Sequence, residues 1–242
     1  MNNILGRLRK TIQDQNMIQP NDRVAVGLSG GKDSMALLSL LNQFKRFSPT
    51  PFHLEAMTID LGFDNFNLKG AHQFCDTIDI PYSVIKTDIA KIVFDIREEK
   101  NPCALCANMR RGALANAMQE RKLNVLALGH HADDALSTLF LNMLYAGKLN
   151  TMEYKSLLSR SAITVIRPLL DTAEVDIKHF IKMQSIPVLK SPCPMDRHTK
   201  REDVSLMLKE VYKTIPNSRK NMLTAMRNAP QCNLFNNDKE PL

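Results

Sequence analysis

Nowhere in the 242 residues does an apolar run approach the length of about 18 that a membrane-spanning helix needs, which excludes an integral helical membrane protein. The N-terminal stretch MNNILGRLRKTIQ lacks the apolar core of about 7–15 residues and the small-residue cleavage site of a secretory leader, so a cytoplasmic location is expected. Cysteine is few and odd in number: Cys75, Cys103, Cys106, Cys193 and Cys232 do not make a disulfide framework in a cytosolic chain. No internal repeat recurs at a period of roughly 20–50 residues, so a repeat architecture is excluded as well.

What is present is the composition of an ordinary globular protein, 44% hydrophobic and 24% charged, in about 1.6 average domain lengths. Lys and Arg outnumber Asp and Glu by 32 to 25, a net charge of +7, and the excess is uneven. Between Lys190 and Arg227 nine basic residues face four acidic ones, a local +5. A basic C-terminal third points to a polyanionic partner, nucleic acid first, against the plainer alternative of a solvated mixed-charge surface.

Along the chain, apolar runs bounded by turn signals alternate with helical periodicity. A basic helix over 1–15 leads into the turn cluster Gln19-Pro20-Asn21-Asp22. Strands are predicted at Arg23–Leu28, Phe52–Ile59, Tyr82–Lys86, Asn124–Leu128 and Ile163–Ile166. Helices are predicted at Met35–Phe44, Leu68–Thr77, Ala104–Arg121, Ala132–Tyr145 and Val175–Gln184. The third of these follows Pro102; the fourth carries Leu136, Leu139, Phe140, Met143 and Leu144 on one face. This alternation predicts a doubly wound parallel α/β sheet whose ligand lies at the carboxyl ends of the strands. After Pro187 the pattern becomes helical: Lys200–Thr214, with Val204, Leu208, Val211 and Ile215 on one face, then a short helix to Arg227. The expected organisation is an N-terminal basic helix (1–20), a nucleotide-binding domain (21–187) and a helical C-terminal segment (188–242).

Where the first strand meets its helix stands Ser29-Gly30-Gly31-Lys32-Asp33-Ser34. Two glycines let the backbone approach a ligand, and the free N–H groups of a helix start, with Lys32, make a phosphate site. A Walker A loop is excluded, because Gly27 lies one residue too close to Gly31-Lys32 and Asp33 follows the lysine; the dinucleotide fingerprint G-x-G-x-x-G is absent. The string resembles the S-G-G-x-D-S pyrophosphatase loop (PP-loop) of the N-type ATP pyrophosphatases, which split ATP into AMP and pyrophosphate. The resemblance implies that Ser29, Gly30, Gly31, Lys32, Asp33 and Ser34 hold the phosphates and magnesium. It places Gly27 and Leu28 beside the ribose and α-phosphate, and Ile59 and Asp60 at the adenine base.

A second motif, Gly129-His130-His131-Ala132-Asp133-Asp134, ends the fourth strand. Two imidazoles and two carboxylates there can orient a magnesium ion, a phosphate or a proton acceptor; alternatively the acids cap a helix. The element is similar to the family's G-H-x-x-D-D, which makes Gly129 and His130 nucleotide contacts and Asp133 and Asp134, with Lys32 and Asp33, the catalytic candidates. Asn142 and Gly147 match that family's N-x-x-x-x-G spacing.

Cys103 and Cys106 form a C-x-x-C at a helix start, where the dipole is expected to lower a thiol pKa. The pair alone is compatible with a redox couple, a zinc half-site or an iron–sulfur half-site. Cys193 lies between two prolines, Cys232 and His198 are further donors in the C-terminal region, and Cys75 falls within a helix as a buried apolar residue. P-C-x-x-C followed by Met109-Arg110-Arg111-Gly112, then G-H-H-x-D-D, the run Leu139–Leu149, and Ile166-Arg167-Pro168-Leu169 resembles the tRNA 2-thiocytidine synthetase (TtcA) family from about Gly27 to Arg227. The resemblance implies a [4Fe-4S] cluster on Cys103, Cys106 and Cys193 with one iron left open. Relatives often carry a second C-x-x-C here; in this chain the corresponding position is Asp196.

The activity so implied is ATP-dependent tRNA thiolation, in which a base carbonyl oxygen is adenylated and then replaced by sulfur. The implied partners are tRNA, with Arg110 and Arg111 guiding its backbone, a sulfur donor (hydrosulfide or a persulfide from a cysteine desulfurase), and a second copy of the chain in a homodimer. The competing expectations are a PP-loop ATP pyrophosphatase with zinc or no cluster acting on another substrate, and an RNA-binding module with a vestigial nucleotide fold.

Overall fold

At the centre of the sheet the runs Val24-Ala-Val26 and Val125-Leu-Ala127 are apolar at every position, because both faces of the sheet are covered there. In the computed structural model, which describes residues 4–97, 102–159, 161–195 and 199–228, the strands are β1 (Arg23–Gly27), β2 (His53–Asp60), β3 (Tyr82–Lys86), β4 (Val125–Ala127), β5 (Lys155–Leu158) and β6 (Ile163–Ile166). Their order is β3-β2-β1-β4-β6-β5. All neighbours are parallel except β5, which pairs antiparallel with β6 at the edge. That edge strand and a π-helical turn at Lys91–Ile96 are not among the predicted elements.

Alternation along β1 divides the core. Val24 and Val26 point to one face, where they meet α1 (Ile4–Asp14), α2 (Lys32–Lys45), α3 (Lys69–Thr77) and α6 (Glu174–Met183). Ala25 points to the other, with Met57, Leu126 and Val165 under α4 (Pro102–Glu120) and the π-helical turn. Each fully buried Leu or Val side chain here contributes about 1.5–3 kcal/mol. Helix α2 is buried nearly all round, from Ser34 to Leu41, and so lacks the single apolar stripe of a surface helix. The N-terminal helix joins the main core through Ile4, Leu8 and Ile12.

Helices α5 (Ala132–Ala146), α7 (Lys200–Thr214) and α8 (Ser218–Arg227) pack around a third cluster of Leu136, Val204 and Leu208. Two predicted stripes are narrower than their periodicity implied. Met143 and Leu144 in the last turn of α5 are 42% and 58% exposed, and Ile215 beyond the end of α7 is 55% exposed. Periodicity reads which side of a helix is apolar, not how much of that side a neighbour covers.

Strand order reverses between β1 and β4, which places a crevice at the carboxyl ends of this pair. Both sequence motifs open into it.

Candidate active site

The turn after β1 is built by glycine. Gly30 has φ +82°, and a Cβ there would lie 2.7 Å from Leu189 Cδ1. Gly31 precedes the first residue of α2 with extended backbone, and no side chain caps the helix. The predicted helix start at Met35 therefore moves back, so that Lys32, Asp33 and Ser34 form the first turn, with N–H groups that have no acceptor within the helix. Hydroxyls fix the turn's shape: Ser34 Oγ donates to Gly31 O (3.0 Å) and accepts from Ser29 N (3.2 Å), and Gly31 N donates to Ser29 Oγ at 3.3 Å.

The second motif packs directly onto the first. A Cβ on Gly129 would lie 2.8–2.9 Å from the backbone of Asp33 and Ser34, so only glycine lets the end of β4 reach the start of α2. His131 precedes α5 and closes a reciprocal cap: its Nδ1 accepts from Asp134 N at 3.4 Å and its own N donates to Asp134 Oδ2 at 3.0 Å. Its Nε2 lies 3.6 Å from Asp33 Oδ1, a buried oxygen with no hydrogen-bond partner.

Lys32 Nζ bonds Asp33 Oδ2 (2.9 Å) and Glu174 Oε1 (3.0 Å). Burial alone would lower its pKa; the two carboxylates reverse this and raise it. Burial likewise works to raise Glu174, but Lys178 and Lys32 outweigh it and hold the carboxyl down to about 2. Asp133 accepts Arg219 Nε (2.6 Å) and Nη2 (2.9 Å) together with the Glu174 N–H (2.8 Å). These bonds overcome the burial that would raise its pKa and leave it lowered. Asp133 thus joins α5, α6 and α8. Glu174 and Arg219 are absent from the sequence-derived site because their partners come together only through the fold, 86 residues apart for Arg219 and Asp133. Leu28 is buried with its N–H on Met57 O (2.8 Å), Ile59 is buried, and Asp60 Oδ1 accepts from Gly62 N at 3.0 Å.

Cys193 is brought to this edge by backbone. After α6 the chain crosses the glycine turn, and Leu189 N donates to Gly30 O at 2.9 Å. Cys103 is exposed, Cys106 buried and Cys193 half-buried. Burial raises the Cys106 thiol; Arg110 pulls it down, while Cys193 and Cys103 push it further up. The expected lowering by the helix start is therefore reversed at Cys106, but three thiols do share one electrostatic neighbourhood. Among the described residues no three Cys, His, Asp or Glu side chains stand close enough to hold a single metal ion. Cys75 is fully buried and its thiol is pushed up to about 11 by burial and Asp76, as a core residue should be. Asp196, His198 and Cys232 lie outside the described residues. A cavity of about 400 Å³ lined by Arg23, His53, Glu55, Pro81 and Arg121 opens at the opposite, amino edge of the sheet and contains none of these groups. No helix among the described residues is long and apolar enough to cross a membrane.

Comparison with known proteins extends the likeness over most of the chain. A family profile described as PP-loop domain matches residues 2–208. A tRNA-cytidine(32) 2-sulfurtransferase from Pelobacter propionicus is 37% identical over 222 residues, 90% of this chain and 82% of the relative. The protein of the same name from Shewanella loihica is 38% identical over 234 residues, 94% of this chain and 74% of the relative. Among solved structures, the U34-tRNA thiolase NcsA from Methanococcus maripaludis with its [4Fe-4S] cluster superposes with a TM-score of 0.75 at 26% identity, covering 93% of this chain and 77% of that one. The NH3-dependent NAD synthetase of Campylobacter jejuni, at 16% identity and a TM-score of 0.52, shares the fold.

Proposed function

Because the chain belongs to the PP-loop family, and because three thiols share one electrostatic neighbourhood with Cys193 only four residues beyond the contact of Leu189 with the glycine turn, we propose that it replaces a carbonyl oxygen of a tRNA base with sulfur, coupled to cleavage of ATP to AMP and pyrophosphate. The relatives named for cytidine 32 favour 2-thiocytidine as the product. The observation that carries the proposal is the Leu189–Gly30 backbone bond, which holds the Cys193 loop against the turn that would grip the triphosphate.

The N–H groups of the first turn of α2, with Lys32, receive the phosphates and stabilise charge as it builds on the departing pyrophosphate. For Lys32 to do so, its contact with Glu174 gives way to a phosphate oxygen. Gly27 and Leu28 border the ribose, and Ile59 and Asp60 at the end of β2 border the base. Gly129 and His130 form the facing wall. Asp33 keeps one buried carboxylate oxygen without a partner, which fits a magnesium ion against the phosphates; the ion would neutralise charge there. Asp133 and Asp134 act by holding α5, α6 and α8 in place.

The donor set, three thiols, fits an iron–sulfur cluster. Cys103, Cys106 and Cys193 would hold a [4Fe-4S] cluster, which supplies an iron with an open position for sulfur. Arg110 lies close enough to stabilise thiolate at Cys106.

The test is anaerobic incubation of the purified protein with ATP, sulfide and unmodified tRNA, followed by nucleoside mass spectrometry. A new thiolated nucleoside, together with broad visible absorbance from the protein, is expected. A colourless, zinc-loaded protein that leaves tRNA unchanged would overturn the proposal.

A further inference from the structure

One cluster at the carboxyl edge meets the nucleotide site only at His130 and otherwise lies outside it. Strands β4 and β6 are neighbours, and Leu128 N donates to Ile166 O at 3.0 Å, so the chain segments leaving them carry His130 and Arg167 side by side. The Arg167 head is pinned from one side: its Nη1 donates to Glu153 O (2.8 Å) and reaches Ser156 Oγ at 3.4 Å. Its Nε is buried with no partner, and so is His130 Nδ1. Exposed Arg111 of α4 acts electrostatically on Arg167, and exposed Arg201 of α7 acts with Arg167 on His130. Two acids face the cluster, and Asp134 already accepts from His131 N.

A buried guanidinium nitrogen without an acceptor is costly, and a like charge beside it adds to the cost. A phosphate oxygen at the part-exposed guanidinium offsets the gathered positive charge, and arginine's planar fork suits it. The nucleotide's own phosphates have a separate seat at β1 and α2. In the sheet order this cluster lies beyond β4, on the side away from β2.

We propose that Arg167, with Arg111 and Arg201, forms a subsite for the RNA phosphodiester next to the nucleotide being modified, His130 being the wall it shares with the nucleotide site, and that it fixes that nucleotide against the thiols of α4 and the Cys193 loop. This deepens the tRNA-thiolation reading and rests on it. The subsite positions RNA and takes no part in bond breaking.

The test measures binding of unmodified tRNA to the cluster-loaded protein by anisotropy over a range of salt, and ATP binding separately. Arg167→Gln should weaken tRNA binding about tenfold, as expected for one lost charge-assisted contact, and reduce the salt slope by about one. ATP affinity should stay unchanged. Because Arg167 is partly buried, Arg111→Gln and Arg201→Gln, both at exposed positions, provide variants whose folding is not at risk. Each should lower the salt slope in the same way. If all three variants bind tRNA with wild-type affinity and slope while the wild type thiolates tRNA, the subsite is wrong and the enzyme assignment stands. If ATP or pyrophosphate binding falls while tRNA binding holds, the cluster serves the nucleotide and the subsite is again wrong. Wild-type protein that neither binds nor thiolates tRNA removes the underlying reading itself.

Discussion

At the scale of single residues, most charges of the site are satisfied by one another, Asp33 Oδ1 being left over. Glu174 shows this most directly. Its pKa of about 2 lies below the ordinary 4.5, so its pairing stabilises the fold fully above pH 4.5 and progressively less as the pH falls toward 2. Glu174→Gln is expected to cost about 1–2 kcal/mol near neutrality, a figure reduced for partial solvent screening. The gap between variant and wild type in urea-unfolding midpoint should narrow as the pH is lowered from about 6 to about 3. A gap that is constant across this range would show that the carboxylate's charge is not what matters. His130 behaves in the same sense: burial, opposed by Asp134, leaves its pKa at about 4, so the imidazole is neutral at physiological pH.

At the scale of elements, the site depends on how closely β4 approaches α2. Gly129→Ala puts a methyl group against the Asp33 and Ser34 backbone, which cannot yield as a flexible side chain would. We expect a destabilisation of about 1–3 kcal/mol, read as a drop in Tm, with weaker ATP binding measured by calorimetry. ATP affinity at the wild-type level would show that the two motifs are not one site. The parallel strands were legible in the sequence because burial on both faces writes them as apolar runs such as Arg23-Val-Ala-Val-Gly27. Strand β5 was not: Lys155-Ser-Leu-Leu158 sits at the edge, Leu157 is 65% exposed, and no alternation marks it. The two motifs were legible because each is contiguous. The Lys32–Glu174 and Asp133–Arg219 pairs were not, because charged residues on separate elements carry no mark of the partner that folding gives them.

For the whole molecule, Asp133 is one joint that ties α8 to α5 and α6. Arg219→Met leaves its half-buried carboxylate without the guanidinium; the expected loss is about 1–3 kcal/mol, less than for a fully buried pair. Trypsin should then cut within α8 faster than in the wild type, while the sheet and α2 stay protected. Unchanged cleavage would mean that the cluster of Leu136, Val204 and Leu208, the Arg227–Asp171 ion pair and the Ser137–Ser205 hydrogen bond suffice to hold the helices.

The hydrogen bond from Leu189 to Gly30 also sets a limit on distance. Only four peptide steps separate Leu189 from Cys193, and an extended chain covers about 14 Å in that number of steps. However the intervening loop rearranges, this leash keeps the sulfur atom within one small radius of the glycine bend, so the two proposed chemistries cannot drift apart while that clasp stays shut.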